Sequence, residues 1–151
     1  MNLYEKLDAS NVVLNIEGKR RTQIIEKIIQ QLHHAGAAFD EEEALEKVLK
    51  REELGGTGIG FGVALPHARL NSAEDILVGL GISKKGIDFE AMDGQPARLI
   101  FLVLAPEKEA ETYLKVMARI SRLMRKEEVR EELLCCDIES DVASIIEKYE
   151  S

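Results

Sequence analysis

The segments "ILVGLGIS", Ile76–Ser83, and "ARLIFLVLA", Ala97–Ala105, decide the fold class of this 151-residue chain. Both are rich in residues that favour strands, and neither alternates between apolar and polar positions. A strand with water on one face would alternate, so both segments are predicted to be strands covered on both faces of a sheet. The intervening "KKGIDF" and "MDGQP" are predicted to be turns because of their glycine and proline residues.

Helices are predicted on both sides of these strands in the sequence. A short β-rich segment, Asn11–Ile16, precedes a helix that starts near Lys19 and ends at Gly36. Its apolar residues recur at helical spacing: Ile24, Ile25, Ile28, Ile29 and Leu32. A second helix begins at Asp40, which is predicted to be its N-cap, with Glu43 reaching back in a capping box.

Beyond Pro106 the chain is predicted to be helical. The first of three helices carries an apolar stripe made of Tyr113, Leu114, Met117, Ile120, Leu123 and Met124. "EEVREELL" and "SDVASIIEKYE" supply the two shorter helices. Strands followed by helices predict one α/β domain over residues 1–151, with a mixed sheet sandwiched between helices.

The net charge and the apolar patterning of the chain argue against several classes of function. The chain has 20 basic and 28 acidic residues, a net charge of −8, which opposes binding to nucleic acid. No apolar run is long enough to cross a bilayer, and Met1–Ser10 lacks the pattern of a secretory leader. We therefore expect a soluble, cytoplasmic protein with no direct insertion into a membrane. The adjacent Cys135 and Cys136 are predicted to be reduced thiols packed near a helix end.

The segment "GGTGIGFGVALPHARL", Gly55–Leu70, is the most unusual of the chain because five glycines precede a histidine that follows a proline. No Lys-Ser or Lys-Thr follows the glycines, and their spacing does not fit G-x-G-x-x-G, so neither common nucleotide-binding loop is present. A serine-hydrolase elbow is absent as well. A metal site is not expected because His33 and His34, predicted to lie at a solvated helix end, are distant from His67 in sequence.

With these sites excluded, the remaining hypothesis is chemistry at one histidine, His67. A neutral imidazole is a competent nucleophile near pH 7, and phosphohistidine can pass its phosphoryl group onward. Flexible glycines allow backbone N–H groups to surround an anion, Thr57 offers a hydroxyl, and Arg51 offers a permanent positive charge. The alternative is that His67 caps a turn that the glycines simply form.

The motif "RE" at Arg51–Glu52 followed by Thr57–Leu70 resembles the phosphorylation site of type-2 EIIA domains. These are the fructose–mannitol and nitrogen-regulatory EIIA proteins of the bacterial phosphoenolpyruvate-dependent phosphotransferase system. The segment "FEAMDGQPARLIFLVLAPEKEAETYLKVMARISRLM", Phe89–Met124, is similar to the second half of the family, so the resemblance covers essentially the whole chain.

The resemblance implies the type-2 EIIA fold and a phosphotransferase that needs no cofactor. His67 would accept a phosphoryl group from phospho-HPr, or from the nitrogen-branch relative of HPr. It would pass the group to a cysteine of an EIIB domain or keep it as a regulatory mark. Arg51 matches the family arginine that holds the phosphoryl group, and the matching loop residues around it are Thr57, Gly58, Gly60 and Gly62.

One position departs from the family pattern. Members usually carry a second histidine in an "H-L" pair after "AP", whereas this chain has Tyr113 and Leu114. Tyrosine donates a hydrogen bond but does not share a proton near neutral pH, because its ordinary pKa is about 10. Tyr113 is therefore either a ligand of the phosphoryl group or a core residue.

Three functions follow from the resemblance. A regulatory phosphocarrier of the nitrogen-branch kind is favoured because the given chain has no fused EIIB, EIIC or HPr. The alternatives are a binding module that regulates a transporter or kinase with little onward transfer, and a sugar-specific fructose or mannitol EIIA that supplies an EIIB cysteine.

Overall fold

The computed structural model describes residues 2–150. Numbered in chain order, the strands are β1 (Val12–Val13), β2 (Gly58–Gly60), β3 (Val63–Ala64), β4 (His67–Leu70), β5 (Leu77–Ile87) and β6 (Ala97–Pro106). The α-helices are α1 (Arg21–His34), α2 (Glu41–Glu53), α3 (Ala110–Met124), α4 (Glu127–Leu134) and α5 (Asp141–Glu150). Single 3₁₀ turns lie at Leu3–Lys6, Ala9–Asn11 and Glu107–Glu109.

A mixed six-stranded sheet forms the centre of the molecule: five strands follow the order β1-β5-β6-β3-β2, and the sixth, β4, also pairs with β6. Strands β5 and β6 are antiparallel, while β1 runs parallel to β5. Strands β3 and β4 both pair in parallel with β6, β3 at Leu99–Ile100 and β4 from Val103 to Pro106. The predicted mixed sheet is confirmed, and β6 is the strand against which the segment Val63–Leu70 is aligned.

Both faces of the sheet are covered by helices, as the two continuous apolar runs predict. Alternate residues of β6 belong to different cores: Phe101 and Val103 pack with α3, whereas Ile100 and Leu102 pack with α1 and α2. Strand β5 keeps a glycine where α1 crosses it, because a Cβ at Gly79 would lie 2.7 Å from the Ile28 side chain. The glycines of "ILVGLGIS" therefore allow a helix to pack closely on the strand.

The predicted N-terminal helices are present, but one cap differs. All five apolar residues of α1 are buried, and the Asp40 side chain accepts hydrogen bonds from the N–H groups of Glu42 and Glu43. The predicted capping box is wrong because Glu43 does not bond to the Asp40 N–H, which donates to Ser72 Oγ instead (2.9 Å). The Glu43 carboxylate accepts hydrogen bonds from the N–H groups of Asn71 (2.8 Å) and Ser72 (3.1 Å), and so ties α2 to the end of β4.

One element prediction near the sheet is wrong, and another is confirmed only in part. "KKGIDF" does not turn at once: β5 continues to Ile87 through a register shift, with the Gly86 N–H bonded to Ser83 Oγ (3.0 Å). A bulge of this kind absorbs extra residues without ending a strand. The segment Asn11–Ile16 forms only a two-residue strand, since Asn15 adopts a left-handed conformation at φ 54°.

The C-terminal helices and the terminal side chains largely follow the predictions. Val116 is buried in the stripe of α3, whereas Leu114 is 65% exposed because it lies on the other side of the helix. Cys136 is buried and Cys135 is exposed, and both are free thiols. His33 and His34 are exposed at the end of α1. Within residues 2–150, no helix has the length and apolar character needed to cross a membrane.

Candidate active site

His67 is fixed to the centre of the sheet. It opens β4, three residues after Ala64, where β3 ends. Its backbone is aligned with Val103 of β6, and the Pro66 carbonyl accepts a hydrogen bond from the Val103 N–H (3.1 Å). Because Pro66 restricts its own φ, the chain that reaches the imidazole has little freedom.

One tautomer of the imidazole is selected by the backbone. His67 Nδ1 lies 2.7 Å from the Leu65 carbonyl oxygen. A carbonyl only accepts hydrogen bonds, so in the neutral ring Nδ1 carries the proton and Nε2 holds a free lone pair. Burial lowers the pKa of His67 below its ordinary 6.5, the charge of Arg51 lowers it further, and the hydrogen bond to Leu65 opposes them. Near pH 7 the half-buried ring is therefore neutral and nucleophilic at Nε2.

Tyr113 lies beside this imidazole, and the charge of Arg51 acts on it. The Arg51 guanidinium donates to the Gly55 carbonyl (2.8 Å), and its charge lowers the pKa of both His67 and Tyr113. The Tyr113 ring lies 6.0 Å from the His67 ring, centroid to centroid, and is only 7% exposed. Burial raises the pKa of Tyr113 to about 12, so its hydroxyl stays protonated over the whole physiological range.

The glycine-rich loop is held against the segment between β5 and β6. A Cβ at Gly56 would lie 2.1 Å from the Phe89 carbonyl oxygen, and a Cβ at Gly58 would lie 2.9 Å from the Cβ of Ala91. The Gly58 N–H donates to the Phe89 carbonyl (3.4 Å). Close approach of two backbones therefore explains these two glycines directly. Gly60 and Gly62, at φ 89° and 74°, form the turn between β2 and β3.

Thr57 is buried, and both of its donors already have an acceptor. Its hydroxyl and its N–H both bond to the carboxylate of Glu52. Contact between the Thr57 hydroxyl and a phosphoryl group would require the first of these bonds to break. Sequence reasoning assigned no role to Glu52, although it stands beside Arg51 in the "RE" motif. The available signal was an acidic residue on the inward side of an otherwise amphipathic helix.

Large apolar side chains are exposed in the segments that carry the site. They are Leu54, Ile59, Phe61, Met92 and Leu114, and we call them the apolar rim. Phe61 is 57% exposed and has φ 59°, a conformation that bulky residues rarely adopt. Its N–H donates to Asp93 (3.1 Å), and the Arg130 guanidinium lies 4.9 Å from the centre of its ring.

Comparison with known proteins identifies the family. The protein-family model described as "Phosphoenolpyruvate-dependent sugar phosphotransferase system, EIIA 2" matches residues 5–149. The chain belongs to this family. The resemblance of the sequence motif to type-2 EIIA domains is thereby confirmed, and so is the expected fold, since the structural neighbours are EIIA proteins.

Relatives of this EIIA chain carry both sugar-specific and regulatory names. It is 37% identical to the fructose-specific EIIABC component of Bacillus subtilis over 150 residues, which are 99% of this chain and 24% of that protein. It is 45% identical to a nitrogen regulatory protein of Bradyrhizobium diazoefficiens over 94 residues, 62% of this chain and 61% of that protein. The chain thus spans about a quarter of the first relative and about three fifths of the second.

A solved structure gives the same fold over nearly the full length. The nitrogen regulatory protein IIA-Ntr of Neisseria meningitidis superposes with a TM-score of 0.87 at 28% identity. The match covers 95% of this chain and 98% of that structure. The family model and the structural match therefore agree that the chain is an EIIA domain.

Proposed function

We propose that this EIIA is a phosphocarrier that takes its phosphoryl group on Nε2 of His67. The observation that carries the proposal is the hydrogen bond from Nδ1 to the Leu65 carbonyl, which leaves the lone pair on Nε2. Nε2 attacks the phosphorus of a phosphohistidine on phospho-HPr or its nitrogen-branch relative. The new N–P bond forms as the donor's N–P bond breaks, and the donor imidazole leaves with the electron pair.

Arg51 and Tyr113 stabilise the transferred group in this proposal. Positioning and charge neutralisation supply most of the catalysis in phosphoryl transfer. Arg51 brings the positive charge whose influence already reaches His67. Tyr113 brings a protonated hydroxyl that has no hydrogen-bond partner among the described residues. Thr57, Gly58, Gly60 and Gly62 contribute by shaping the loop beside the ring.

The apolar rim is the surface on which we expect the protein partners to dock. Exposed apolar side chains beside a site that exchanges groups with other proteins are typical of an interface. The Bacillus subtilis relative carries EIIA together with B and C components in one name, which supports an EIIB domain as a recipient. The exchange is expected in the cytoplasm, where phosphoenolpyruvate charges the donor.

A regulatory role is proposed ahead of sugar transport. Nitrogen regulatory proteins occur repeatedly among the relatives, and one of them gives the close structural match. Tyr113 favours the same role, because a hydroxyl that stays protonated holds a phosphoryl group without assisting proton transfer. The recipient would then be a regulated transporter or kinase, whereas a sugar-specific EIIA would supply an EIIB cysteine.

The test is intact-mass measurement after incubation with phosphoenolpyruvate, Enzyme I and HPr or its nitrogen-branch relative. We expect one added phosphoryl group on the wild type and on His34→Ala, which changes an exposed histidine, and none on His67→Ala. Labelling of His67→Ala would contradict the assignment of the acceptor. No labelling of the wild type, while a control EIIA is labelled, would favour the binding module.

A further inference from the structure

A buried carboxylate lies under the glycine-rich loop, and the proposed phosphoryl transfer does not use it. The Glu52 side chain is 2% exposed. One oxygen accepts the Thr57 hydroxyl, and the other accepts the Thr57 N–H (3.3 Å) and faces Arg21 Nε at 3.5 Å. Burial raises the pKa of Glu52, whereas the hydrogen bonds from Thr57 and the charge of Arg21 oppose this. A buried charge of this kind is costly unless it is paired and fully hydrogen-bonded.

These bonds continue without interruption to the functional imidazole. Thr57, which donates to Glu52, accepts at its carbonyl the N–H of Leu65 (3.0 Å). Leu65 in turn accepts at its carbonyl the Nδ1–H of His67 (2.7 Å). Thr57 and Leu65 each donate one hydrogen bond and accept another, so the series fixes the position of the backbone between Glu52 and His67. Three links thus connect a carboxylate of α2 to the ring that opens β4.

The far end of the series is anchored as well. Arg21 is the first residue of α1 and also pairs with Glu90 (3.1 Å), which lies in the segment between β5 and β6. That segment packs on the backbone of Gly56 and Gly58. The ion pairs therefore hold the loop between the start of one helix and a neighbouring turn, and Arg21, which pairs with both Glu52 and Glu90, is their common point.

We propose that Glu52 is a positioning residue that keeps His67 in its Nδ1–H tautomer through Thr57 and Leu65. Loss of the carboxylate frees Thr57, lets the Leu65 carbonyl rotate, and allows the proton to reside on Nε2, where it blocks attack on phosphorus. The effect on phosphoryl transfer rests on the proposed function, but the tautomer itself does not depend on it.

The experiment compares Glu52→Gln with a matched control, Glu150→Gln. Glu150 has a similar environment at the other end of the chain: its side chain is 4% exposed, it accepts the N–H groups of Leu3 and Tyr4, and Arg119 donates to it (2.9 Å). Both substitutions keep the side-chain shape and remove a buried charge that accepts several hydrogen bonds. Only the first is connected to His67.

The primary measurement is the ¹⁵N NMR spectrum of the imidazole in each variant, at a pH where the ring is neutral. In a single tautomer the Nδ1 and Nε2 signals are far apart, and they converge when two tautomers mix. We expect convergence in Glu52→Gln, a smaller change in Thr57→Val, and wild-type signals in Thr57→Ser and Glu150→Gln. Thr57→Val serves as the second variant if Glu52→Gln does not fold.

Wild-type His67 signals in folded Glu52→Gln, or in Thr57→Val if Glu52→Gln does not fold, would overturn the proposal. An equal shift in Glu150→Gln would do so too, since it would show a general effect of destabilisation. In the labelling reaction we expect Glu52→Gln to accept the phosphoryl group at least about tenfold more slowly, as for other groups that orient a functional histidine. If the wild type is not labelled at all, the proposed function fails while the NMR result still decides the role of Glu52.

Discussion

Tyr113 is either a ligand of the phosphoryl group or a core residue, and only the first role needs its hydroxyl. The substitution Tyr113→Phe removes that hydroxyl alone. The ring stays in the same core, where it packs with Val116 and Ile120. Because the hydroxyl has no partner among the described residues, its loss breaks no bond within them. We expect the free energy of unfolding to change by less than about 0.5 kcal/mol, the lower limit for one hydrogen bond.

We expect a much larger effect of Tyr113→Phe on the phosphorylated state. A hydrogen bond to a charged group contributes about 1.5–3 kcal/mol. Since about 1.4 kcal/mol corresponds to a factor of ten, Tyr113→Phe should shift the phosphoryl equilibrium with the donor about ten- to a hundredfold away from His67. The measurement is the ratio of phosphorylated to free protein, by intact mass, after equilibration with a known ratio of phosphorylated to free HPr.

The matched control is Tyr149→Phe, which removes a hydroxyl bonded to Glu132 in the C-terminal helices. This variant also removes one tyrosine hydroxyl, but far from His67, so it should keep the wild-type phosphoryl equilibrium. A Tyr113→Phe protein that holds the phosphoryl group as tightly as the wild type would refute the role of the hydroxyl. Tyr113 would then be a residue of the core that only supports the imidazole by packing.

Three further predictions concern stability, ionisation and docking. Glu43→Gln should lower the free energy of unfolding by about 1–2 kcal/mol at neutral pH, as measured by urea unfolding. The hydrogen bond from Ser72 holds the pKa of Glu43 at about 2, so the wild type should lose this stability as the pH falls from about 4.5 to 2. A wild-type stability that does not change over that range would contradict the prediction. In an NMR titration the His67 ring should have its midpoint below 6.5, because burial lowers its pKa; a midpoint above 6.5 would contradict the burial of the ring. Phe61→Asn should raise the free energy of unfolding by about 1 kcal/mol, because the relief of the left-handed strain outweighs the lost contact with Arg130. The same substitution should raise the KM for phospho-HPr without lowering kcat. An unchanged KM would show that Phe61 is not part of the docking interface.

The sequence predicts the layers of this fold well because its strongest patterns are long. Seven apolar residues in a row, Leu99–Ala105, predict a strand covered on both faces, and the isoleucines of α1 mark one face of one helix. Short-range patterns fail where a tertiary partner competes with a local one. Glu43 satisfies the local rule for a capping box, yet the free N–H groups of Asn71 and Ser72 take its carboxylate. Ser83 similarly supplies an acceptor that lets β5 continue through Gly86.

The candidate site likewise contains residues that the sequence predicts and one, Glu52, that it does not. His67 stands out in the sequence because five glycines and a proline lie within the twelve residues before it. The structure brings the Tyr113 ring to 6.0 Å from the imidazole, and the charge of Arg51 lowers the pKa of His67. The role of Glu52 could not be predicted because it depends on the direction in which its side chain points. Adjacent residues on a helix point about 100° apart, so Arg51 and Glu52 face different sides of α2, and Glu52 faces inward. No linear pattern shows that the inward carboxylate meets Thr57.

The raised pKa of Tyr113 bears directly on the choice between a transport and a regulatory role. A histidine at this position would titrate near neutral pH, and it would both neutralise the phosphoryl group and exchange a proton as that group leaves. With a pKa of about 12, the tyrosine remains a donor at every physiological pH and offers no such exchange. In the proposed function, the phosphoryl group would be held by a hydrogen bond from a hydroxyl that stays protonated at every cellular pH. Tyr113→His should therefore speed transfer to an EIIB cysteine and make that rate depend on pH between about 6 and 8. Stopped-flow measurement with a phosphorylated sample would show this, and equal rates for the two proteins would remove Tyr113 as a reason to favour regulation.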